Sequence, residues 1–169
     1  MKWALLAAIT VWLAVIALPD NNLHLVVCDV GQGDAILVSY KTTQMLVDGG
    51  PNSAVLKCLG DHMPFYDRRI EVVVLTHPQA DHLNGLIDVL KRYTVLQFVK
   101  EPVDNDTEGY RELMNEIRNE KIEIRSIYTG DIIQFPISNF QFPVSWAVSG
   151  FESKELIDTA IVGKLSFGE

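Results

Sequence analysis

The chain opens on an unbroken apolar run and then changes rhythm. Trp3–Leu18 reads WALLAAITVWLAVIAL, uncharged, with Thr10 its one polar interruption. At roughly 16 residues it approaches the ~20 that span a bilayer as a helix. No face of it is polar, which argues against a helix packed on a soluble core. Lys2 precedes the run and Pro19-Asp20-Asn21-Asn22 stops it. Residues 1–22 therefore read as a transmembrane anchor, the last span of a larger membrane protein, or a signal segment with Val15-Ile16-Ala17 as a cleavage site. In each case the basic residue before the run and the acidic remainder after it place residues 23–169 outside the cytoplasmic membrane.

Beyond residue 22 the apolar positions come in short bursts. Leu23–Asp29 is β-rich with a buried look and ends in the glycine turn Val30-Gly31-Gln32-Gly33-Asp34. Ala35–Tyr40 and Gln44–Val47 predict a hairpin about Lys41-Thr42-Thr43. Asp48-Gly49-Gly50-Pro51-Asn52 stops the sheet, and Asn52 or Ser53 caps a short helix over Ala54–Lys57. Glu71–Leu75 predicts a core strand, Leu83–Tyr93 a helix, and Val95–Val99 a further strand. An amphipathic helix starts at Asp106 or Thr107 and runs to about Glu120. Ile122–Tyr128, Asp131–Phe135 and Ala160–Phe167 predict strands, while Ser138–Ser149 is Pro-broken and ambiguous. A meander followed by alternating strand and helix implies an α/β domain, a mixed sheet with helices on one face and its other face in need of cover.

Composition narrows this a little. The 169 residues are 48% hydrophobic and 21% charged, enough for one globular domain. A net charge of −8 argues against a phosphate-neutralising surface spread over the whole domain. It leaves room for a local groove, or for acids gathered about a metal. Cys28 and Cys58 belong to no zinc knuckle. Cys28, in the run Leu25-Val26-Val27-Cys28, is read as a small buried hydrophobe and not as half of a disulfide, although an extracytoplasmic compartment would allow one.

The chemistry lies in Thr76-His77-Pro78-Gln79-Ala80-Asp81-His82-Leu83-Asn84-Gly85. A hydrophobic strand delivers His77, Asp81 and His82 into one tight loop before a helix, and imidazole and carboxylate are the donors of catalytic zinc sites. The C-terminal end of a strand is where ligand sites of α/β sheets lie. A helix beginning near Asp81 adds free N–H groups that favour an anion. Singly, these residues read as a strand-end histidine, an N-cap aspartate and a first-turn histidine.

This stretch resembles the HxHxDH signature of the metallo-β-lactamase superfamily. Its neighbours resemble one branch, the extracytoplasmic domain of ComEC-type competence channels. Asp29-Val30-Gly31-Gln32-Gly33-Asp34-Ala35 is similar to that branch's DVGQGDA element and Leu46-Val47-Asp48-Gly49-Gly50 to its LIDGG element. Asp158–Leu165 resembles the strand before its later TGD element. The resemblance covers most of residues 23–169, in order. It implies the N-terminal half of an αββα sandwich and a hydrolytic site for one or two Zn2+ or Mn2+ ions. His77 would serve the first metal, and Asp81 and His82 the second, with Asp81 also orienting the attacking water. Asp48 would fix ligand orientation, and Gly31, Gly33 and Asp34 would shape the adjoining loop. It further implies membrane attachment, single-stranded DNA as substrate in DNA uptake, and the rest of a multi-span channel as partner. Two departures stand out. Gln79, a weak ligand at best, occupies a position usually held by His or Asp, and the chain ends before the TGD aspartate and the later histidines. The competing readings are a non-catalytic module with a degenerate metal site and a secreted hydrolase such as a lactamase.

Overall fold

The computed structural model describes residues 2–16, 18–134, 140–146, 161–164 and 166–167. The apolar run forms helix α1 (Lys2–Ile16), with Trp3, Leu5, Leu6, Ile9, Val11 and Trp12 all exposed. Among the described residues no helix is long and apolar enough to cross a membrane.

The domain is built on a six-stranded sheet ordered β1 (Leu23–Val27), β2 (Ile36–Tyr40), β3 (Thr43–Val47), β4 (Arg69–Leu75), β5 (Thr94–Lys100) and β6 (Glu123–Ser126). The first three strands form an antiparallel meander, and β3 to β6 run parallel. Each parallel step needs a crossover. Helices α2 (Ala54–His62), α3 (Ala80–Leu90) and α4 (Glu108–Asn119) supply them on one face. The strand period of two then sorts the side chains. Leu37, Leu46 and Val73 meet Leu59, Leu83, Leu86 and Leu113 on the helix side. Val38, Met45, Val72 and Val74 face the other way with Ile127, Ile133 and Ile161. That second face carries strands of a second sheet. Strand β8 (Phe140–Trp146) pairs antiparallel with β7 (Ile132–Gln134), β9 (Val162–Gly163) and β10 (Ser166–Phe167).

The patterned elements are all present, with shifted ends. Helix α3 begins at Ala80 and stops at Leu90, so Asp81 sits inside the first turn and Gln79 is the N-cap. Helix α2 runs on to His62. The run expected over Ala160–Phe167 is two short strands, and Asp158, Thr159 and Ala160 lie outside the described residues. The ambiguous segment contains β8, while 138, 139 and 147–149 lie outside the described residues.

Two expectations are overturned. Strand β1 is not buried: it is the sheet edge, with Leu25 58% and Val27 70% exposed on the face away from the helices. An edge strand has one neighbour, and these side chains are left largely exposed. Cys28 is buried but not free, because it forms a disulfide with Cys58 of α2. The pairing escaped the sequence because it depends on α2 crossing back over the end of β1, a tertiary fact with no local pattern.

Candidate functional site

The C-terminal ends of β3 and β4 lie side by side, and the chain turns sharply after each. Asp48 follows β3 with φ +57°, a left-handed conformation that aspartate tolerates better than most residues. Its amide donates to Val74 O, which aims the carboxylate across the sheet edge. There it accepts three hydrogen bonds. Thr76 N donates to Oδ1 (2.8 Å), and Thr76 Oγ1 (2.6 Å) and His82 Nδ1 (2.8 Å) reach Oδ2. Because the Thr76 hydroxyl spends its proton on Asp48, it accepts from His77 Nδ1 at 3.0 Å. The network fixes both tautomers, leaving Nε2 as the nitrogen through which each ring would ligate. The rings lie against each other, centroids 3.8 Å apart. Asp81 Oδ2 stands 3.9 Å from His82 Nε2.

Glycines let these turns interlock. A Cβ on Gly85 would fall 1.9 Å from Gly49 O, and one on Gly33 2.1 Å from Asp81 O. Gly33 also has φ +130°. The 31–34 turn, the 48–50 turn and the first turn of α3 are thus held backbone to backbone, tied by Gly49 N to His82 O and Gly50 N to Asp34 O. Gly31 (φ +83°) has open space about it and makes the turn.

The electrostatics separate the two histidines. Burial, and then the neighbouring His82, holds His77 below the ordinary imidazole range. Burial opposes the charged form of His82 too, but the hydrogen bond to Asp48 and the carboxylates of Asp48, Asp81 and Asp34 outweigh it and raise its pKa. The carbonyl of Gln79 starts α3 by accepting from His82 N and Leu83 N.

The structure therefore brings together His77, Asp81, His82, Gln79 and Asp48, with Asp34, Gly31 and Gly33 on the bordering turn. Two contributors carried no assigned role in the sequence. Thr76 links the histidines through Asp48, and its place directly before His77 at a strand end was the available sign. Asn105 donates to Pro78 O at 2.6 Å and ties the β5–α4 connection to the site loop. At a separation of 27 residues nothing local marks it. An open cavity of about 510 Å³ adjoins the site, with Asp34, Asp48, Thr76, His77 and His82 at one end and an apolar floor including Leu25, Val38, Met45, Val74 and Val162.

Donor type and orientation fit a divalent metal. A histidine whose Nδ1 is held by a carboxylate, with Nε2 turned outward, has the usual arrangement of a metal ligand. Donor number does not close a site: among the described residues no three His, Cys, Asp or Glu side chains converge closely enough to hold an ion.

No protein-family model and no curated protein matches the chain. Its similarity to solved structures is clear at the level of fold. The metallo-β-lactamase fold protein YhfI from Bacillus subtilis aligns with TM-score 0.56 and 17% identity, covering 85% of this chain and 57% of that one. MEM-A1, a subclass B3 metallo-β-lactamase from a soil metagenome library, aligns with TM-score 0.56 and 12% identity over 87% of this chain and 55% of its own. The chemotaxis sensor ODP, solved as a peroxy diiron species, aligns with TM-score 0.57 and 14% identity over 87% and 56%. The chain has the metallo-β-lactamase fold, and it spans about half the length of these structures.

Proposed function

We propose that this chain furnishes part of a metal-dependent hydrolase domain of the ComEC type, attached to the membrane and acting on phosphodiester bonds of single-stranded DNA outside the cytoplasm. The observation that carries the hydrolase reading is the Asp48–Thr76–His77–His82 network, which holds two buried imidazoles by Nδ1, with His82 Nε2 3.9 Å from Asp81 Oδ2. A core of this kind would be wasted on surface histidines. His77, His82 and Asp81 would hold metal, and a metal of this class supplies a water acidic enough to attack at neutral pH. The chain's own part is orientation. Asp48 keeps His82 in one tautomer, Thr76 does the same for His77, and Asn105 steadies the loop that carries them. The assignment to nucleic acid rests on the sequence resemblance at residues 29–35, 46–50 and 76–85. The extracytoplasmic assignment is supported by the Cys28–Cys58 disulfide, a bond that persists in oxidising compartments, and membrane attachment by the all-round apolar α1.

A second reading is favoured by Gln79 and by the absence, among the described residues, of three converging donors: a module that keeps the fold and binds metal weakly or not at all. Calorimetric titration of the detergent-solubilised chain with zinc and manganese separates the two. Binding that weakens in His82→Ala and in Asp81→Ala supports the first reading. Absence of binding, with the fold intact by circular dichroism, establishes the second.

A further inference from the structure

The edge of the sheet opposite the site has a character of its own. The register places Leu23 beside Tyr40, and Arg69 beside Thr94. The β2–β3 turn at Lys41, the loop 63–68 between α2 and β4, and the α3–β5 turn at Arg92 therefore share one edge. The metal-capable residues follow Val47 and Leu75 at the other edge, about 20 Å away along seven-residue strands. On the near edge Phe65 is 78% and Tyr66 46% exposed, their rings edge to face at 5.3 Å. Met63 beneath them is buried in the helix-side core, which anchors the loop while its tip faces solvent.

Exposed basic side chains lie on the same edge, although the chain as a whole carries −8. They are Lys41, Arg68 and Arg92. The carboxylates at this edge are engaged. Asp67 accepts from Arg69 N, Asp61 pairs with Lys57, and Asp20 holds Asn22 and His24. This is also the edge at which the chain arrives from α1. Only residues 17–22 lie between Ile16 and Leu23, a tether that reaches at most about 25 Å fully extended.

We infer that this edge is a membrane-facing surface: with α1 in the bilayer, Phe65 and Tyr66 enter the headgroup region, Lys41, Arg68 and Arg92 meet anionic phosphates, and the metal-capable edge points away from the membrane. Aromatic rings with a polar surround are the side chains that settle at the bilayer interface, and basic residues close to an anionic leaflet add attraction within a Debye length. The occupant is a lipid surface and not a protein. The tether fixes which edge is nearest to the apolar helix, and the exposed Lys41, Arg68 and Arg92 on that edge complement an acidic headgroup. The inference rests on the reading of α1 as the membrane-attaching segment.

The test uses the full chain with the Cys28–Cys58 bond intact, reconstituted into phosphatidylcholine vesicles with and without phosphatidylglycerol. A nitroxide is placed at Thr42→Cys on the near edge, and in a separate protein at Asp106→Cys on the far edge. The ratio of collisions with oxygen to collisions with a water-soluble nickel chelate should be severalfold higher at position 42 than at 106. It should rise with phosphatidylglycerol and fall towards the value at 106 when Phe65→Ser and Tyr66→Ser are combined or when Lys41→Glu and Arg92→Glu are combined. A chain that floats with the vesicles yet shows equal, water-like ratios at both positions overturns the surface and leaves α1 as an anchor. A chain that fails to float overturns both.

Discussion

Asp48 concentrates more of the site than any other residue. Its left-handed backbone is a cost, and the three hydrogen bonds accepted by its carboxylate offset it. Asp48→Asn leaves the backbone free to adopt the same turn but sets an NH2 group against donors that need acceptors. Metal affinity in this variant should fall on the order of 10–100-fold, the usual effect of losing a group that orients a ligating histidine, as read by competition with a chromogenic chelator. An unchanged affinity would remove the orienting role. Gln79→His should act in the opposite sense, since it adds an imidazole where an amide oxygen is a poor donor. Gly85→Ala tests the packing beneath: a methyl 1.9 Å from Gly49 O forces the two turns apart, and the loss, at least about 2 kcal/mol, would be read by urea unfolding. At this scale the sequence singled out His77, Asp81, His82 and Asp48, which the fold brings together, because residue type and local spacing carry them. It did not show Thr76 as the link between the rings, which requires β3 and β4 to be neighbours.

The elements were legible wherever one period dominated. Strand β4, VVVL in its second half, is buried on both faces as an interior strand of a parallel run should be, and of the two caps its pattern offered, Asp106 and Thr107, α4 begins on Thr107. The failures fall where an element's fate depends on a distant partner. Strand β1 reads as core from its composition and is instead an edge. Asp81 reads as a cap, but the backbone of Gln79 starts α3 and leaves the Asp81 carboxylate for the site. Cys28–Cys58 joins the edge strand to α2 and closes a loop across 30 positions. Such a bond removes chain entropy from the unfolded state worth about 3–4 kcal/mol at this separation. Reduction, or Cys58→Ser, should therefore lower the unfolding free energy by that order, measured by urea denaturation with and without reductant. The lost order should concentrate in residues 23–34, where hydrogen exchange ought to accelerate first, since β1 has a single neighbour. Equal protection in the oxidised and reduced protein would show that β1 is held by its hydrogen bonds alone.

Taken whole, the molecule is lopsided in the sense its sheet pattern foretold. The helix face is closed by three helices, whereas among the described residues the opposite face carries an open apolar cavity and the exposed side chains of Leu25 and Val27. The site opens into the same cavity, so whatever covers that face also encloses the histidines. The chain spans about half the length of the solved structures of this fold that it matches. A segment laid over that face would cover apolar area, bring further donors within reach of the histidines and close the site. Apolar surface of this extent favours association, and where ligands and fold are coupled each supports the other. The 169-residue chain on its own should therefore bind zinc weakly and cleave neither single- nor double-stranded DNA. Fused to the second half of a similar domain, it should give a monomeric protein that binds metal at least tenfold more tightly and cuts single-stranded DNA in a chelator-sensitive manner, with Asp81→Ala abolishing the cut. Robust cleavage by the chain alone would show that its own residues complete the centre. Tight metal binding in the fused protein without any cleavage of nucleic acid would discard the DNA substrate and keep the metal centre.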